Sequence, residues 1–167
     1  MAKQAKHPES MTHREILEAL SGLYLAMFVS MISGTIVSNA LPTIVADLKG
    51  TQTQYTWIVT STLLTSTIAT PIWGKLADLL PKKLLLQLAL VVFTIASVAS
   101  GLAPGMGWLI AFRALQGVGL GGVQASAQTV LAAMIPPRER GRYNGYMGAV
   151  MGVSTVGGPL IGGAIVD

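Results

Sequence analysis

The chain has no cysteine, and both of its histidines, His7 and His13, precede the first apolar run. Disulfide frameworks, thiolate metal sites and a histidine-rich metal centre inside the apolar part are thereby excluded. Charge is scarce: 11 Lys and Arg with 7 Asp and Glu make up 11% of the 167 residues, where a soluble domain carries roughly a quarter. So few charges cannot dress a water-facing surface, which sets aside cytosolic enzymes and nucleic-acid-binding modules despite the net charge of +4. What is abundant is apolar: the chain is 51% hydrophobic with a mean hydropathy of +0.60, and the solvent implied is a bilayer.

Five apolar stretches, about 21–42, 55–74, 84–103, 107–135 and 144–166, each approach or exceed the ~20 residues that cross a membrane as a helix. Only helices satisfy every backbone group within a single segment there, so the expected fold is all-α and integral to the membrane, with five transmembrane helices. The first stretch is longer than the roughly 7–15 residues of a signal-peptide core, and Leu41-Pro42 is no small-x-small cleavage site, so it is an uncleaved span. Residues 1–20 form a polar lead-in. Within it Thr12 and Glu15 match a capping box, and Ile16, Leu17 and Leu20 recur at helical spacing. This predicts a short amphipathic helix at the cytoplasmic surface that runs into the first span.

Lys and Arg sort to one side. With the N-terminus inside, Lys3, Lys6, Arg14, Lys75, Lys82, Lys83, Arg138, Arg140 and Arg142 are cytoplasmic and only Lys49 is outside, as basic loops retained during insertion require. Trp57 and Trp108 are then expected at the outer interface, and Trp73 and Tyr143 at the inner one. The sequence stops at Asp167, at the edge of the fifth span. The expectation is therefore an incomplete bundle over 21–167, whose polar and small residues pack against remaining transmembrane helices of a longer transporter.

Arg113 is the basic residue left inside a span, and no carboxylate falls within any of the five. A permanently charged side chain at that depth is costly and marks a pathway or a structural bond to neighbouring carbonyls. Gln116, Gln124 and Gln128 share roughly its face, a polar stripe turned toward protein or a water cavity. Ser33 and Asn39 are the dipoles expected to join Arg113 and Gln116 in a buried polar network.

Three motifs and a stretch of the first span carry a resemblance. The run Gly74-Lys75-Leu76-Ala77-Asp78-Leu79-Leu80-Pro81-Lys82-Lys83 resembles the cytoplasmic signature of the major facilitator superfamily, G-x-L-a-D-r-x-G-r-K, with Leu79 and Pro81 departing from it. Leu109 to Gly117 is similar to its fourth-helix motif L-x-x-x-R-x-x-Q-G, and Gly158-Pro159-Leu160-Ile161-Gly162-Gly163 to its fifth-helix antiporter motif G-P-x-x-G-G. Gly34 to Pro42 resembles the first span of the drug:proton antiporter branch with fourteen spans, except that the family's acidic position falls on Ser33. A serine hydroxyl does not titrate at physiological pH.

The resemblance implies the first five spans of a major-facilitator-type N-terminal bundle in a bacterial cytoplasmic membrane. It implies efflux of amphiphilic or cationic drugs by proton antiport, and so antibiotic resistance. It gives Arg113 a part in proton coupling, makes Gly74, Asp78, Lys82 and Lys83 a cytoplasmic gate, and makes Gly158, Pro159, Gly162 and Gly163 a gating kink. The partners expected are membrane lipid, a small-molecule substrate and protons; no nucleic acid, cofactor or metal is expected. Met27, Met31 and Met151 with Gln124 are candidates for an adaptable pocket wall. No Ser/His, paired-Asp or metal-binding constellation lies within a span, which argues against an intramembrane enzyme. The residues themselves leave open an exporter of lipid or metabolite that is not proton-coupled through this half, and a non-transporting module that binds partner helices through glycine faces such as Gly148 and Gly152.

The topology is directly testable. A cysteine at Gly105 should react with an impermeant thiol reagent added to intact cells, and one at Arg140 only after permeabilisation. The reverse pattern would overturn the orientation.

Overall fold

A computed structural model describes residues 13–166. These form five α-helices, α1 (His13–Asp47), α2 (Gln52–Leu79), α3 (Lys82–Gly101), α4 (Met106–Met134) and α5 (Arg140–Val166). All five are long enough to cross a membrane; α1 from Ile16, α3 and α4 are also apolar enough by mean hydropathy. α2 falls short because of its many hydroxyls, yet these do not seek water. Thr56, Thr67 and Thr70, for example, donate to the carbonyls of Gln52, Leu63 and Ser66, each four residues back.

Local chemistry sets the helix ends. At the end of α1 the Lys49 N–H donates to the Ala46 carbonyl (3.1 Å) and the Gly50 N–H to that of Val45 (2.7 Å), with Lys49 at a left-handed φ of 51°. This is the Schellman pattern, with Lys49 where glycine is usual. Thr51 and Gln54 then form a reciprocal capping box that opens α2. α4 stops ahead of Pro136-Pro137, and the Arg140 guanidinium donates to the Ala132 and Ile135 carbonyls at 2.9 and 3.0 Å. A cation thus satisfies orphan acceptors at the negative end of the α4 dipole.

α4 is the organising helix: α2 packs along one side of it and α3 along the other, while α1 pairs with α5. Apolar side chains gain little by leaving lipid for one another, so such pairs form through close backbone approach and interhelical hydrogen bonds. α4 supplies the first with glycine. A Cβ on Gly117 would fall on Thr65 Oγ1 and the Thr62 carbonyl of α2, and one on Gly119 would meet the Phe93 backbone of α3. α2 supplies the second. Thr62 and Thr65 donate to the Arg113 and Ala114 carbonyls at 3.2 and 2.7 Å, and Trp73 Nε1 donates to that of Val118 at 3.0 Å.

Two apolar clusters bracket the bundle. One, at the end bearing Asp78 and Arg140, includes Leu20, Leu23, Trp73, Leu85, Leu131 and Tyr143; the other, at the opposite end, includes Leu41, Val45, Ile58, Met106 and Leu109. The outer surface is apolar as well, with Leu64 52% and Leu160 71% exposed.

α1 is continuous from His13 into the first span, with Ile16 and Leu20 buried in the first cluster. The proposed capping box involves Thr12, which lies outside the described residues. Trp73 and Tyr143 are core residues at 8% and 1% exposure rather than interface anchors, whereas Trp57 and Trp108 are exposed. Trp73 is drawn inward because its N–H finds a carbonyl within the bundle. A Cβ built on Gly148 or Gly152 would meet no described atom of another helix within 4 Å, so that face of α5 is open among the described residues.

The two kinds of glycine should behave oppositely. Gly117→Ala is expected to destabilise the bundle by roughly 1–3 kcal/mol through overpacking, and Gly148→Ala to be neutral or stabilising by up to about 1 kcal/mol. Thermal unfolding of the detergent-solubilised protein reads both; equal effects would refute the assigned α2–α4 contact.

Candidate functional site

Between the two apolar clusters lies a polar layer. Arg113 in α4 is 5% exposed and Gln116 2%, and the spacing of three residues lets Arg113 Nη1 donate to Gln116 Oε1 at 2.9 Å. Gln116 Nε2 in turn donates to Ser97 Oγ of α3 at 2.6 Å. The Arg113 Nε has no hydrogen-bond partner among the described residues, nor does the Ser30 hydroxyl of α1, itself 1% exposed. Glu18, Asp47, Asp78 and Glu139 are exposed, near helix ends or in a loop, so no described carboxylate lies at the level of this guanidinium.

Arg113 faces a cavity of about 210 Å³ between α1, α2 and α4. Ser30, Gly34, Thr35, Ser38 and Leu41 give it an α1 wall, Ile58 and Thr62 an α2 wall, and Leu120 and Gln124 continue the α4 wall beyond Arg113. The site is thus an apolar slot with a cation, an amide and several hydroxyls along it. Most hydroxyls are already committed to carbonyls: Thr62 to Ile58 and Arg113, Ser38 to Gly34.

The remaining expected residues are spread through the bundle. Ser33 is half-buried, but neither it nor exposed Asn39 belongs to the Arg113–Gln116–Ser97 network or lines the cavity. Met31 and Gln124 do line it, Met27 is buried in the apolar core, and Met151 is 42% exposed. Gln128 is exposed. Gly74 lies inside α2, five residues before its end at Leu79, and Asp78 is exposed without a described ion-pair partner. Lys82 and Lys83 open α3 and border a separate apolar groove with Leu23 and Met134.

α5 runs unbroken through Pro159, which has no N–H to give the Thr155 carbonyl. Just before it, Gly158 lies so close to α1 that a Cβ would fall on Thr35 Oγ1, and Thr35 Oγ1 also donates to the Ser154 carbonyl at 3.3 Å. The glycine-proline motif therefore docks on the same Thr35 that lines the Arg113 cavity. Gly163 is exposed with no described atom near its Cβ position; Gly162 lies within α5.

Sequence reading missed Ser97, Ser30 and Thr62. Ser97 and Thr62 sit on other helices than Arg113, and only tertiary packing brings them to it. For Ser30 a signal existed, because Ser30, Gly34, Ser38 and Leu41 repeat at helical spacing and mark one face of α1.

Comparison with known proteins agrees with this architecture. The family model of the Major Facilitator Superfamily matches residues 23–167. The chain is 45% identical over 148 residues to the multidrug transporter protein MdtP of Bacillus subtilis, covering 89% of this chain and 27% of that protein. It is 40% identical over 146 residues to multidrug resistance protein 3 of Bacillus subtilis, covering 87% of the chain and 28% of that protein. With the efflux pump dotC of Dothistroma septosporum it shares 41% identity over 146 residues, covering 87% and 25% respectively. The chain thus spans about a quarter of the length of these curated relatives. Five membrane-length helices, the three motifs and a family match over nearly the whole chain converge: the protein is a multi-pass membrane protein that belongs to the Major Facilitator Superfamily.

Proposed function

We propose that these five helices are the leading part of an efflux transporter that exports amphiphilic small molecules across the cytoplasmic membrane in exchange for protons. The observation that carries this reading is Arg113, a guanidinium buried at mid-bundle beside a cavity, in a chain whose relatives bear the names of multidrug and efflux proteins. Burial there without a described counter-charge is unfavourable, by roughly 2.5–3.5 kcal/mol on insertion scales, and packing alone gives no reason to retain it. Asp78, exposed at the end of α2, is the residue we assign to the cytoplasmic gate on its motif, and the Gly158–Thr35 contact brings α5 against the cavity wall. Ser33 supports a second reading, an exporter not proton-coupled through this half, since nothing in the described spans can carry the proton as a carboxyl.

In the full-length transporter, Arg113→Ala should abolish gradient-driven dye export, while Ser33→Ala retains most of it because a hydroxyl has no proton to exchange. Arg113→Lys should restore little, because an ammonium lacks the planar fork of the guanidinium. Wild-type export by a correctly inserted Arg113→Ala protein would make the arginine structural. Export that survives collapse of the proton gradient would favour the second reading. Asp78→Asn should impair export with insertion unchanged, and full activity in that variant would reduce the loop to topology.

A further inference from the structure

Resting on the efflux reading, we infer that the cavity between α1, α2 and α4 is a head-group subsite for an anionic amphiphile, with Arg113 as the counter-charge to a carboxylate or sulfonate. The site is built around an unsatisfied donor set. Arg113, at 5% exposure, spends Nη1 on a neutral amide, and its Nε is unpartnered. Ser30, at 1% exposure, lines the same cavity with its hydroxyl also unpartnered. Buried donors without acceptors are unfavourable until a ligand supplies one, and a guanidinium pairs best with a planar oxyanion.

The charge balance selects the ligand class. A neutral head group would leave the guanidinium buried and unpaired, and a cationic one would add repulsion in a low-dielectric setting. An oxyanion removes both costs. Beyond the donors the walls are apolar, with Met31, Leu41, Ile58, Leu63 and Leu120, which suits the carbon body of an amphiphile. At about 210 Å³ the space is below the roughly 300–1,000 Å³ of a complete ligand pocket, so it holds a head group and its first carbons rather than a whole substrate.

The test uses three dyes with one aromatic body, N-dansyl-6-aminohexanoate, its primary amide and the corresponding trimethylammonium compound. Each is measured for binding to the purified full-length transporter and for gradient-driven export from vesicles. The carboxylate should bind roughly 10- to 100-fold more tightly than the amide, the range of one charge-assisted hydrogen bond, and the ammonium compound most weakly. Arg113→Gln should abolish the preference for the carboxylate over the amide, and Arg113→Lys should retain part of it. Should Arg113→Gln fail to fold, the ranking on the wild-type protein alone decides. Equal affinities, or preference for the ammonium dye, would overturn the inference and indicate that an acid elsewhere in the transporter neutralises Arg113; continued export would then leave the efflux reading intact. Conversely, Arg113-dependent carboxylate selectivity without export of any of the dyes would uphold the subsite and overturn the efflux reading.

Discussion

The architecture depends on how closely α4 can approach its neighbours. In lipid the helices cannot rely on the hydrophobic effect to associate, and packing plus hydrogen bonding must suffice. Gly117 and Gly121 remove side chains where α2 passes, Gly119 removes one where α3 passes, and Gly122 removes one between Trp73 of α2 and Ala89 of α3. The backbones come near enough for Thr62, Thr65 and Trp73 to reach carbonyls of α4. Without the glycines these bonds would be out of range; without the bonds, the glycines would only lower helix propensity. Everything else is positioned from this three-helix layer, including the segment of α4 that carries Arg113.

The position of that arginine follows from the same layer. Apolar clusters occupy both ends of the bundle, so the polar side chains of α1, α2, α3 and α4 meet at the middle. Gln116 turns toward α3 and finds Ser97, while Arg113, Leu120 and Gln124, seven and eleven residues along one helical face, turn toward the cavity. The Arg113–Gln116 bond therefore joins the packed side of α4 to its open side. It fixes the guanidinium without neutralising it.

Much of this was legible in the sequence, and the failures have physical causes. Helix number and approximate bounds follow from hydropathy and from Gly and Pro at the connections, and the Arg113–Gln116 pair follows from its spacing. The partner Ser97 depends on a helix crossing, which no local pattern encodes. Ser33 and Asn39 were expected beside Arg113, but the cavity face of α1 is the one bearing Ser30, Gly34 and Ser38, and a step of one residue turns a side chain by about 100°. Trp73 and Tyr143 looked like interface residues because position along the span was known and direction around the helix was not. Arg140 read as a topological charge and also caps α4, two roles that a single basic residue can serve at once.

The cavity lies at the seam between two unequal assemblies. On one side, α2, α3 and α4 are joined by glycine contacts and by five interhelical hydrogen bonds of 2.6–3.5 Å. On the other, α1 and α5 are held by the Thr35–Gly158 contact and by fewer described bonds, 3.3 Å from Thr35 to the Ser154 carbonyl and 3.5 Å from Tyr24 to that of Tyr143. Within the first assembly most polar groups are consumed by packing, as Thr65, Trp73 and Ser97 show, although the buried Ser126 hydroxyl of α4 has no described partner. At the seam they are not: Ser30 and the Arg113 Nε have no described partner, and Gln124 is exposed. Unspent polar capacity therefore concentrates where α1 faces α2 and α4, and it is there, rather than at the more heavily packed interfaces, that a bound molecule can change the energy of the bundle.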